Sequence, residues 1–215
     1  MEKHNYKSTG VALLLGALLI IATMTLHPSG GSMEHIIAIS RIITISHGMA
    51  IACLPLLVFG FYGLTQELMD SGKLSVLALI IITFGLIAAL FAALFNGLAL
   101  PFFLTHYTDN LSEYKDILHP ITTFSFSINK ALDYIFIAAS CLAISIYSVL
   151  MLKSVIFPKW LGYFGISLFI FVIIGVLTGF VFTNLTGFRI FTFSLAAWVL
   201  SAAILQIKTR KHEYE

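Results

Sequence analysis

The sequence predicts an all-α polytopic membrane protein, a bundle of six transmembrane helices, and three observations carry that prediction. Of 215 residues, 59% are hydrophobic and only 10% are charged. The mean hydropathy is +1.00. The apolar residues are gathered into six blocks, each long enough to cross a hydrocarbon core of about 30 Å, which takes about 20 helical residues. Such a chain has too little polar surface to cover a water-soluble globule. A net charge of +2 with no basic stripe argues against a nucleic-acid partner and leaves the lipid bilayer as the expected surrounding. Cys53 and Cys141 lie singly inside apolar blocks, without C-x-x-C spacing, and read as small core residues.

The spans fall near 8–27, 43–66, 74–100, 130–152, 158–182 and 188–207, and residues 1–215 read as a single transmembrane domain. Lysine and arginine orient it. Lys3, Lys7, Lys73, Lys153, Lys159, Lys208, Arg210 and Lys211 fall on the side of the termini, against Arg41, Lys115, Lys130 and Arg189 on the other. The positive-inside rule then puts both termini in the cytoplasm. Lys3 and Lys7 before an apolar run, with Ser29-Gly30-Gly31 after it, imitate a secretory signal. The run Val11 to Leu26 is long for a signal core and Pro28 disfavours cleavage, so the first span reads as retained.

Taken in order, the first span is an uninterrupted anchor with a close-approach face at Gly16 and Ala17. The second is longer, because Ser32 can cap a helix whose apolar pattern runs nearly unbroken to Leu68. On one continuous helix His35 and His47 would stand about 18 Å apart, too far to share an ion. The third span carries the small-residue line Gly85, Ala88, Ala89, Ala92, Ala93 and Gly97, which suits a central position. Pro101 is expected to kink or stop it. The segment 101–129 then reads as an outer connection able to fold over that face as a lid. The fourth span has a Ser/Thr-rich lead, with Asn129 and Lys130 on the helical face of Asp133. The fifth enters through Pro158 and Trp160 and contains Gly175-x-x-x-Gly179, a helix-packing pattern. The sixth begins at Phe188-Arg189 and leaves through a basic tail.

Counting residues back from the cytoplasmic ends places His27, His47, Asn96, Asp133 and Arg189 at one outer level, on five different spans. Ionisable groups at membrane depth are costly and usually face the bundle interior, so these five form the candidate ligand pocket. At the inner level, Phe59-Gly60-Phe61-Tyr62-Gly63 and Leu161-Gly162-Tyr163-Phe164-Gly165 suit tight helix contact and a sealed end.

Imidazole with carboxylate suits zinc, copper or iron, and His27, His47 and Asp133, joined by His119 from the outer segment, are the candidate metal ligands. Haem held by His27 and His47 is the less favoured cofactor, since it rests on that pair alone. Each residue also has a structural reading. His27 can hydrogen-bond carbonyls at a helix end, and Asp133 can pair with Lys130, Arg189 or His47. His35, His106 and His119 read as ordinary outer residues until a partner is shown. Three function classes follow: a membrane protein with an outward polar pocket for a metal ion or small ligand, a small-molecule transporter or channel, and a non-catalytic accessory or assembly protein. The second is weakened by span middles that hold only residues such as Thr83, Ser140, Ser145 and Thr178. The glycine and alanine faces also suit a homo-oligomer.

The six-span layout, the F-G-F-Y-G-L run at Phe59 to Leu64 and the F-P-K-W-L-G run at Phe157 to Gly162 resemble a broad group of uncharacterised bacterial multi-pass membrane proteins with domain-of-unknown-function labels. The resemblance covers the layout of most of the chain and implies a bacterial inner-membrane location. It carries over no functional residue. Under it, the glycosylation-like runs at Asn110 and Asn184 are accidental.

Overall fold

The computed structural model describes residues 6–209; Lys3, His4, Arg210, Lys211 and His212 lie outside them. The helices are α1 Tyr6–Leu26, α2 Met33–Ala38, α3 Ser40–Leu68, α4 Leu74–Ala92, α5 Leu100–Thr105, α6 Leu111–Lys153, α7 Lys159–Leu177 and α8 Leu185–Thr209, with a π-helix, Ala93–Ala99, joining α4 to α5. Among the described residues six stretches are long and apolar enough to cross a membrane: Lys7–Leu26, Ser40–Ser71, Leu74–Thr105, Thr108–Lys153, Lys159–Leu177 and Leu185–Lys208.

The six long helices form a ring. Helix α1 packs most extensively on α3 and α8, and α6 on α4 and α7, while α3 against α4 and α7 against α8 complete the circuit. Leu13, Leu57, Leu64, Ile82, Ile144, Met151, Leu161 and Val199 are buried in one continuous apolar core. The end of the ring that carries His27, Asn96, Asp133 and Arg189 is called here the histidine end.

The opposite end is closed by close helix contact and buried hydrogen bonds. A Cβ on Gly60 would collide with Leu13, and one on Gly63 with Thr9 and Gln206. The Gln206 amide donates to the Thr9 hydroxyl at 3.1 Å. Gly165 similarly admits the Ser148 hydroxyl and the Trp198 ring, and the indole donates to the Leu161 carbonyl at 3.1 Å. Tyr147 and Thr65 share a buried hydrogen bond of 2.7 Å. Both glycine-aromatic runs therefore work as tight helix contacts, because the absent side chains are the space their neighbours occupy.

Four local expectations change. The second span breaks at Ile39, which has φ −107° and ψ 13° between α2 and α3. Ser32 does cap α2, its hydroxyl accepting from the His35 amide at 3.3 Å. The break lets Met33 and Ile36 join Ile43, Leu100, Leu104 and Leu118 in a small second cluster. At the end of the third span, Pro101 does not stop the helix, since the π-turn lengthens the hydrogen-bonding reach and the Leu100 amide bonds the Phe95 carbonyl. Residues 101–129 are largely helical rather than a covering loop, because α6 begins at Leu111 and runs for 43 residues through Pro120. Finally, Gly175-x-x-x-Gly179 is a helix terminus rather than a helix–helix face, with the Phe182 ring of the following connection occupying the space beside Gly175. Gly179 has φ 81°, its amide reaches Val176 at 3.1 Å and that of Phe180 reaches Gly175 at 2.8 Å. This Schellman closure ends α7 at Leu177, short of 182.

Candidate functional site

A cavity of about 440 Å³ occupies the middle of the ring and runs toward the histidine end. Its deep walls are apolar: Leu57, Phe61, Ile82, Leu86, Leu195 and Val199. Its upper part is bordered by His27, His47, Asn96, Asn129, Lys130 and Asp133, and by the α1–α2 and α7–α8 connections at Ser29 and Asn184. An apolar cavity with a few convergent polar groups is the usual form of a small-molecule site.

Four of the five expected pocket residues, His27, His47, Asn96 and Asp133, line this cavity. Each is held by a local feature of the chain. Helix α1 ends at Leu26, and the turn into Pro28 lets His27 Nδ1 bond the Pro28 carbonyl at 3.0 Å. In α3, His47 Nδ1 reaches back one turn to the Ile43 carbonyl at 2.8 Å. The two imidazoles meet with ring centroids 4.9 Å apart and planes inclined at 55°. A carbonyl oxygen only accepts, so each Nδ1 carries the proton of that bond and each neutral ring keeps Nε2 as an acceptor. That spacing leaves no room for a haem iron sandwiched between the rings.

The π-turn builds the facing wall. Gly97 lies against His47 so closely that a Cβ there would fall on the imidazole. One residue earlier, Asn96 pairs with Ser125 of α6. Its amide nitrogen donates to the Ser125 carbonyl at 3.3 Å, and its oxygen accepts from the Ser125 hydroxyl at 3.0 Å. Both functional ends of Asn96 are thus engaged. Asp133 is only 8% exposed, and its Oδ2 accepts from Asn129 at 2.9 Å. Its hydrogen-bonded neighbour is therefore Asn129, where sequence reading favours Lys130, Arg189 or His47.

Arg189 does not line the cavity. Its Nη2 donates to the His27 carbonyl at 2.6 Å, so it acts on the site through the backbone of its neighbour. The metal set also comes apart. Among the described residues no three histidine, cysteine, aspartate or glutamate side chains are arranged to hold an ion. His119 is exposed and stands roughly 21 Å up α6 from Asp133, at about 1.5 Å per residue. His35 is exposed on α2, apart from the cavity lining.

The cavity also contains residues absent from the expected set. Thr23 and Thr192 line it at 6% and 5% exposure, and their hydroxyls have no hydrogen-bond partner. Elsewhere in the bundle Thr65, Thr122 and Thr178 each bond the carbonyl one turn back, the usual solution for a helical threonine. Helical spacing carries the signal for both residues: Thr23 is four before His27 and Thr192 three after Arg189. Cys53 lines the same space, whereas Cys141 does not.

No protein-family model, characterised protein or solved structure matches the chain, so no residue role is carried over from a relative.

Proposed function

We propose that the protein is a multi-pass protein of the bacterial inner membrane, with both termini in the cytoplasm, and that its central cavity opens outward and binds a small ligand. The orientation is supported by the basic residues. Lys7, Lys73, Lys153, Lys159 and Lys208 are exposed at the closed end, against Arg41, Lys115 and Lys130 at the histidine end. One chain of 215 residues forms the whole ring in this reading, as a single transmembrane domain.

The observation that carries the ligand is the polar inventory of the cavity wall. Two imidazole nitrogens and the hydroxyls of Thr23 and Thr192 have no protein partner there. A buried polar group left unpaired costs about 1–3 kcal/mol. The Ser75, Ser140 and Ser148 hydroxyls are also unpaired, away from the cavity, so what sets Thr23 and Thr192 apart is that they border the cavity, where a polar ligand group can satisfy them.

Native mass spectrometry of the protein released from membrane nanodiscs tests this. Wild type is expected to carry a stoichiometric small-molecule adduct that Ala50→Phe, which fills the cavity below His47, lacks. If the cavity is only a packing void, no adduct is found and Ala50→Phe is more stable than wild type.

A further inference from the structure

We infer that the ligand is an elongated amphiphile whose head donates hydrogen bonds, an ammonium or a hydroxyl, and whose apolar part descends the cavity toward Phe61 and Val199. This rests on the ligand-binding reading above and adds the chemical class.

The head follows from which groups remain open. At the rim, both histidines commit Nδ1 to backbone carbonyls, so Nε2 of each neutral ring offers a lone pair and no proton. Asp133 has one oxygen on Asn129 and the other without a protein partner, open to a ligand's donor. Asn96, which could have donated, is spent on Ser125. Arg189 is turned to the His27 carbonyl. Lys130 is the cation bordering the cavity, and it is exposed at the rim. Asn184 keeps its Nδ2 as a donor, its oxygen being on the Gly187 amide, and the threonine hydroxyls can donate or accept; the two imidazole Nε2 atoms accept only. A carboxylate or phosphate head would meet the lone pairs of His27, His47 and Asp133, whereas a donor satisfies them. The unpartnered hydroxyls of Thr23 and Thr192 can accept from the same head.

The tail follows from shape. Along α3 the lining runs from His47 to Phe61, and along α8 from Phe188 to Val199, about 21 Å and 16 Å at 1.5 Å per residue. Between the rim and Phe61 the walls are apolar, so the cavity is long enough, and apolar enough, to take an elongated apolar group beneath the polar rim. Beneath it Phe61 stacks on Tyr147 at 5.8 Å, and Tyr147 is tied to Thr65, so the shaft has a floor.

Four probes with the same chain separate the alternatives: dodecylamine, 1-dodecanol, dodecanoate and dodecane, each added to full-length protein in nanodiscs while thermal unfolding is followed. The amine or the alcohol is expected to raise the midpoint saturably, with dodecanoate and dodecane without effect. The larger of the two responses tells ammonium from hydroxyl. Asp133→Asn, which keeps the side-chain shape, is expected to weaken the apparent affinity for the amine at least about tenfold, and Ala50→Phe to abolish every response. Dodecanoate or dodecane acting as strongly as the donors would overturn the donor head while leaving ligand binding intact. No response to any probe overturns the inference. If Ala50→Phe is then also more stable than wild type, the ligand-binding reading falls with it.

Discussion

Arg189 Nη2 donates to the backbone carbonyl of His27 at 2.6 Å, across 162 residues of sequence. The bond joins the start of α8 to the end of α1. It also fixes the peptide from which the His27 ring turns back to Pro28. Replacing Arg189 with methionine removes a charge-assisted bond, which contributes about 1.5–3 kcal/mol. Denaturant unfolding in detergent should show a loss of that order, with Arg189→Lys intermediate because it keeps charge but not the fork. Equal stability of wild type and Arg189→Met would mean the contact is incidental.

Gly97 is predicted to be the least tolerant position in the π-turn. Its absent side chain is the space of the His47 ring, so Gly97→Ala must push the imidazole off the Ile43 carbonyl or move α4 outward. Overpacking of this kind costs about 1–3 kcal/mol. Gly30, which has nothing within 4 Å of a built Cβ, is the control. Gly30→Ala should unfold with wild type.

Asn96 and Ser125 should be energetically coupled. Their two reciprocal hydrogen bonds, 3.3 and 3.0 Å, tie the π-turn to α6. Hydrogen bonds between membrane helices contribute about 0.6 kcal/mol on average and up to about 1.7 kcal/mol. A double-mutant cycle with Asn96→Ala and Ser125→Ala is expected to return a coupling within that range. Additive effects would show that the pair contributes no joint stability.

Much of the fold is legible in the chain because hydropathy reports burial in lipid directly: six apolar blocks become six long helices. The level of the site is legible for the same reason. At 1.5 Å per residue, depth can be counted, and four of the five residues so counted line one cavity. Direction is not countable. Arg189 lies at the right depth but turns its guanidinium to a carbonyl, and Asp133 finds an amide one turn away rather than a cation. Among the described residues the metal candidates do not come together as a group of three. Treating residues 101–129 as a loop leaves His119 free to approach Asp133, and the α6 helix that begins at Leu111 holds the two 14 residues apart on one helix. The break at Ile39 and the Schellman end at Gly179 depend on tertiary packing and on a single backbone angle, neither of which hydropathy records.

The two histidine candidates, His119 and His47, should therefore separate in experiment. His119→Ala is expected to leave adduct binding and stability unchanged, since its side chain is exposed. His47→Ala should weaken adduct binding about tenfold or more if Nε2 accepts from the ligand. Parallel native mass spectra of the two variants check this, and equal losses would return His119 to the site.

The most direct test of the outward cavity is chemical access from each side of the membrane. In a Cys53→Ala, Cys141→Ala background, Ala50→Cys places a thiol on the cavity wall, and Ser112→Cys and Ser71→Cys mark the two ends of the bundle. A small, membrane-impermeant methanethiosulfonate applied outside intact cells should modify positions 112 and 50, and reach position 71 only after the membrane is permeabilised. Modification of position 50 only together with position 71 would contradict a cavity that opens outward.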